Sequence, residues 1–119
     1  MYRMLVCVCA SLFPLAAQAG PVQPEIACNM VGKNRVYDCT IKLTDRQTGA
    51  PLTGAVFTVT ADMASMPMAH NVRPVTAIAT GEPGVYHARL DLEMAGTWTL
   101  KLILSQPTRD QVIQRIDFQ

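Results

Sequence analysis

The sequence predicts an all-β chain, a small antiparallel β-sandwich of about seven short strands behind an export signal. Three observations predict it. Apolar and polar residues alternate over short runs, the two-residue period of a half-buried strand. Clusters of Gly, Pro, Asn, Asp and Thr separate those runs at near-regular intervals. No segment carries a convincing helical period, and no internal repeat or low-complexity tract breaks the series.

Residues 1–19 read as a cleavable signal peptide. Arg3 gives a short positive start, Met4 to Ala17 form an apolar run, and Ala17-Gln18-Ala19 is a small-x-small cleavage site. The apolar run is shorter than the about twenty residues a spanning helix needs. Cys7 and Cys9 follow valine, not the small residue a lipoprotein signal places before its acylated cysteine. An uncleaved anchor is the alternative. Cleavage leaves 20–119 as one domain with one core. It also removes Arg3, which takes the balance from ten basic and nine acidic residues to neutrality. No basic stripe invites nucleic acid, and no polybasic amphipathic helix invites a membrane surface. The expected location is the periplasm, with no stable membrane span after processing.

Cys28 and Cys39 remain after cleavage, and an even count in an exported chain points to a disulfide. Ile26, Cys28 and Met30 alternate with polar or small residues, as do Tyr37, Cys39, Ile41 and Leu43. A hairpin turning about Lys33-Asn34 sets 28 opposite 39, 26 opposite 41 and 30 opposite 37. A four-residue loop would make Cys28–Cys39 the close, non-hydrogen-bonded pair, and a two-residue loop the wider one. The rival reading, a metal or redox pair, lacks C-x-x-C spacing and a nearby histidine.

Thr44 to Gly54 reads as a loop, and Ala55 to Ala61 as a strand with Ala55, Phe57, Val59 and Ala61 on one face. Val75 to Thr80 is a weak strand, and Gly81-Glu82-Pro83-Gly84 a turn. Val85 to Leu92 alternates Tyr86, Ala88, Leu90 and Leu92 against His87, Arg89 and Asp91. After the Ala95-Gly96 turn, Thr97 to Leu104 alternates Trp98, Leu100, Leu102 and Leu104, with Trp98 the central aromatic. Gln111 to Phe118 is a last strand with Val112, Ile116 and Phe118 inward. Gly20 to Glu25 is the one mature segment expected to be flexible.

Enzymatic motifs are missing. There is no G-x-S-x-G elbow, phosphate-binding glycine loop or H-E-x-x-H, and no carboxylate pair stands out for acid/base work. The expectation is a protein that is not an enzyme.

The distinctive chemistry is Met63-Ala64-Ser65-Met66-Pro67-Met68-Ala69-His70. Thioether sulfur is soft and imidazole borderline, a combination suited to copper, above all Cu(I). Pro67 pushes Met66 toward an extended conformation, in which Met66, Met68 and His70 point the same way. A polyproline-like course would instead align Met63 with Met66. Without an N–H, Pro67 also places the stretch at an edge or in a loop. The competing reading is structural: methionine fills irregular core gaps, and Met63 or Met66 could cap the sandwich. His87 is expected to be solvated unless the loop folds over it. Met94 either packs on Trp98 or supplies another sulfur.

Thr48-Gly49-Ala50-Pro51-Leu52-Thr53-Gly54-Ala55, Pro83-Gly84-Val85-Tyr86-His87-Ala88 and Leu92-Glu93-Met94-Ala95-Gly96-Thr97-Trp98-Thr99-Leu100 resemble the YtkA-like domain, also found in FixH-type proteins. The resemblance runs from about Ile26 to Phe118. It implies an immunoglobulin-like β-sandwich in the periplasm or at the membrane, associated with copper handling in metal efflux or in assembly of copper-containing oxidases. FixH-type proteins usually keep a membrane anchor, and a cleavable signal departs from that pattern. The expectation is a periplasmic copper-binding or copper-delivery protein, with Met66, Met68 and His70 as ligands and Met63 as a fourth. The alternative is a metal-free accessory module docking on an exported or membrane complex.

Overall fold

The structure is a computed structural model and describes residues 21–63, 65 and 72–119. The signal-peptide assignment and the expected ligands Met66, Met68 and His70 lie outside the described residues. The elements are β1 (Val22–Val31), β2 (Val36–Asp45), β3 (Val56–Asp62), β4 (Val75–Thr76), β5 (Ile78–Ala79), β6 (Val85–Asp91), β7 (Gly96–Gln106) and β8 (Asp110–Phe118). They form two antiparallel four-stranded sheets, ordered β1-β2-β6-β5 and β4-β3-β7-β8. This is the strand order of an immunoglobulin-like sandwich with one short strand added to the second sheet. No helix among the described residues is long and apolar enough to cross a membrane.

Alternation explains the core. In β2, Tyr37, Cys39, Ile41 and Leu43 are buried; in β6, Tyr86, Ala88 and Leu90; in β7, Trp98, Leu100, Leu102 and Leu104. Each set occupies every second position, so each sheet turns one apolar face to the other. Among the described residues no polar or charged side chain is buried. Edge-on aromatic contacts tie the layers: Tyr37 lies 4.7 Å from Phe118 and Phe57 lies 5.0 Å from Tyr86 between ring centroids.

The β1–β2 hairpin has the expected register, with Ile26 opposite Ile41, Cys28 opposite Cys39 and Met30 opposite Tyr37. Its loop is 32–35, the four-residue alternative, and the bridged cysteines have Cα atoms 4.0 Å apart. That is the close spacing of a non-hydrogen-bonded pair.

Two expectations require correction. The segment before Ile26 is not a loose tail: Val22 to Glu25 continue β1, and Val22 is buried opposite Asp45. Pro24 fits because β1 is an edge strand. With Cys28–Cys39 a non-hydrogen-bonded pair, residues 22, 24, 26 and 30 turn their backbone polar groups to the open edge, so Pro24 forfeits no ladder bond. The weak strand over 75–80 is two strands in different sheets. Val75 and Thr76 pair with Val59 and Thr58, whereas Ile78 and Ala79 pair with His87 and Tyr86. Ala77 is the crossover and donates its N–H to the Phe57 carbonyl at 3.1 Å.

Candidate functional site

The topology gathers methionine at one end of the sandwich. Met30 sits just before the 32–35 hairpin loop, Met63 just after β3, and Met94 in the connection between β6 and β7. Pairing proves that these positions share an end. Val36 lies opposite Asp91, Asp62 opposite Thr99, and Gly96 opposite Phe118. The Leu92 N–H donates to the Arg35 carbonyl at 3.1 Å, and the Tyr37 hydroxyl donates to the Gln119 carbonyl at 3.2 Å.

Met63 settles into the core. It is only 5% exposed, one step beyond Phe57, Val59 and Ala61 on the inward face of β3. Its methyl carbon would lie 3.0 Å from a Cβ placed on Gly96, whose φ is +135°. Glycine there serves both the backbone conformation and the room that Met63 occupies. Met94 is 36% exposed. Its carbonyl accepts a 3.0 Å hydrogen bond from Trp98 Nε1, so the buried indole pins the turn that carries Met94.

Met63 and Met94 together line a depression of about 430 Å³, with Ser65, Gly96, Thr97 and Arg115 among its walls. Among the described residues the lining contains no carboxylate, imidazole or thiol. The expected Met63 is therefore present at this end, joined by Met94 and Arg115. Arg115 had no distinguishing signal in the sequence: it occupies an ordinary outward position on β8, opposite Thr99.

A second depression, about 320 Å³, lies where the described chain resumes, lined by Val72, Arg73, Val75, Arg89, Asp91 and Glu93. The chain thus leaves the described fold beside thioethers and rejoins it beside charged groups.

His87 does not belong to the methionine depression. It stands on the outer face of the first sheet, with Nε2 3.7 Å from Asp38 Oδ1 and a side chain 40% exposed. Arg89 Nε donates to the same Asp38 oxygen at 2.9 Å. That hydrogen bond holds the Asp38 carboxyl below its ordinary pKa, with the charges of Arg89 and His87 adding to the effect. Among the described residues no group of three or more His, Cys, Asp or Glu could hold a metal ion. The sulfur ligands of Cys28 and Cys39 are committed to the disulfide.

The family profile described as YtkA-like matches residues 21–103. Neither the comparison with characterised proteins nor that with solved structures returns a match.

Proposed function

The chain belongs to the YtkA-like family, and on that footing we propose that it is a periplasmic copper-binding or copper-delivery protein, with Cu(I) as its cargo. The observation that carries the reading is the concentration of thioethers at one end. Met63 and Met94 line one depression there, and Met66, Met68 and His70 follow Met63 in sequence. Thioethers select soft ions, and imidazole adds a borderline ligand. Among the described residues the depression offers no carboxylate of the kind that hard divalent ions require.

Met66, Met68 and His70 are assigned as ligands, with Met63 the fourth at the core margin. Neutral thioethers hold Cu(I) without deprotonation, and the ion can pass to a partner by exchange of one sulfur for another. The Cys28–Cys39 bridge supports an oxidising compartment. It also leaves copper coordination to methionine and histidine. The partners that fit are a metal-efflux system or a copper-enzyme assembly complex.

The test is titration with Cu(I) against a competing chelator. Stoichiometric binding that disappears in the Met66→Ala/Met68→Ala/His70→Ala variant is expected. No binding above the chelator background would exclude the reading.

A second reading rests on exposed apolar side chains at the same end: Met30, Val31 and Met94 are 45%, 41% and 36% exposed. They could form the contact face of a metal-free accessory module on an exported or membrane complex. In that case the triple variant keeps its metal behaviour and loses its partner.

A further inference from the structure

We propose that Met94 is a soft-cation ligand that pairs with Met63 across the β3 exit and the β6–β7 turn, outside the Met66, Met68 and His70 motif. The inference deepens the copper reading and rests on it. Met63 and Met94 are far apart in sequence, yet both line the same depression of about 430 Å³.

Three features prepare the pair. Gly96, without a Cβ, allows the Met63 methyl to lie against the turn. Trp98, fully buried, anchors the Met94 carbonyl through Nε1, which fixes the backbone while the thioether remains partly exposed. A ligand held on a fixed backbone loses less freedom when it captures an ion.

The lining also sets the ion class. The residues lining the depression include two with uncharged thioethers and the cationic Arg115, and among the described residues none with an anionic side chain. Repulsion from Arg115 grows with ion charge, so a monovalent ion is tolerated better than a divalent one. Softness of the ligands and charge of the wall therefore select the same class, soft monovalent cations such as Cu(I) or Ag(I).

The experiment uses the full chain with Cys7→Ser and Cys9→Ser, so that free thiols do not compete. Its methionine methyl groups carry carbon-13, and Ag(I) is the probe. The Met94 and Met63 methyl resonances should move together and saturate, while Met30, in the separate groove with Cys28 and Phe118, stays fixed. Met94→Leu conserves volume, and should weaken Ag(I) binding about tenfold, or about 1.4 kcal/mol, with the ion-free Met63 resonance unchanged. Movement of Met66 and Met68 with Met94 stationary overturns this inference and leaves the copper reading intact. If no methyl moves, both fail. If Met63 and Met94 still move in the triple variant, the pairing stands and the assignment of Met66, Met68 and His70 as the required ligands falls.

Discussion

The two ends of the sandwich are closed by different chemistry. At one end, proline and glycine turns are stitched by backbone hydrogen bonds. Leu43 N–H donates to the Gly84 carbonyl and Asp45 N–H to the Ala50 carbonyl, each at 2.8 Å. The Tyr86 hydroxyl donates to the Leu52 carbonyl at 2.7 Å and accepts from the Ala55 N–H at 2.9 Å. Gly84 is packed so closely that a Cβ would stand 2.8 Å from Pro51 Cβ and 2.9 Å from the Leu43 carbonyl oxygen. At the other end, one backbone bond from Leu92 to Arg35 is joined by side-chain anchors: the Trp98 indole on Met94, Met63 against Gly96, and Tyr37 on the Gln119 carbonyl. Methionine among the described residues occurs only at this second end. The contrast separates two tasks. One end seals the barrel-like stack of side chains between the sheets, and the other presents soft, adaptable groups on a frame already secured elsewhere.

Substitutions can break or sharpen that contrast. The largest effect is expected for Trp98→Ala, which empties the centre of the core and releases the Met94 carbonyl. The loss should be about 3–5 kcal/mol by denaturant unfolding. Trp98→Phe keeps most of the volume and removes the hydrogen bond, so its smaller loss isolates the anchor on the methionine end. Cys28→Ala should cost roughly 3 kcal/mol under oxidising conditions, the chain-entropy value for this short loop. Its Cu(I) affinity should be unchanged; a collapse of affinity in a folded variant would make the cysteines ligands.

Gly84→Ala tests the opposite end. Its φ of +74° and the contacts with Pro51 and Leu43 leave no room for a methyl group. Overpacking of this kind costs about 1–3 kcal/mol, and metal binding should not change. Loss of affinity in Gly84→Ala would show that the two ends are coupled.

The smallest effect belongs to the Asp38–Arg89 pair on the outer face. Asp38 has its folded pKa lowered from 3.8, chiefly by the Arg89 hydrogen bond. A depressed carboxyl contributes stability above its unfolded pKa and loses that contribution as pH falls through the folded value. The melting-temperature gap between the parent chain and Arg89→Ala should therefore be small near neutrality and vanish in acid below the lowered Asp38 pKa. A gap that persists there would assign the effect to packing of the Arg89 stem.

The strand faces were legible because a two-residue period reports which side is buried, and this is why Trp98, Leu100 and Leu102 were recognised as core. The Cys28–Cys39 register was legible because apolar partners matched only about one turn. Proline obscured the start of β1: it resembles a loop signal and is tolerated at an open edge. Alternation also cannot tell which sheet a strand joins, so the Ala77 crossover was invisible. Met63 had a usable local signal, since it continues the alternation of Phe57, Val59 and Ala61. Met94 stood out as a further sulfur beside the Ala95-Gly96 turn, but its sharing a depression with Met63 was not legible, because that depression is created by tertiary packing between a strand exit and a distant turn.

The central claim is that the methionine end takes a soft monovalent ion. Cu(I) titration against a competing chelator, comparing the parent chain with the Met66→Ala/Met68→Ala/His70→Ala variant, tests it most directly. The account predicts stoichiometric capture by the parent and its loss in the variant. A parent chain that binds no Cu(I) above the chelator background would contradict it.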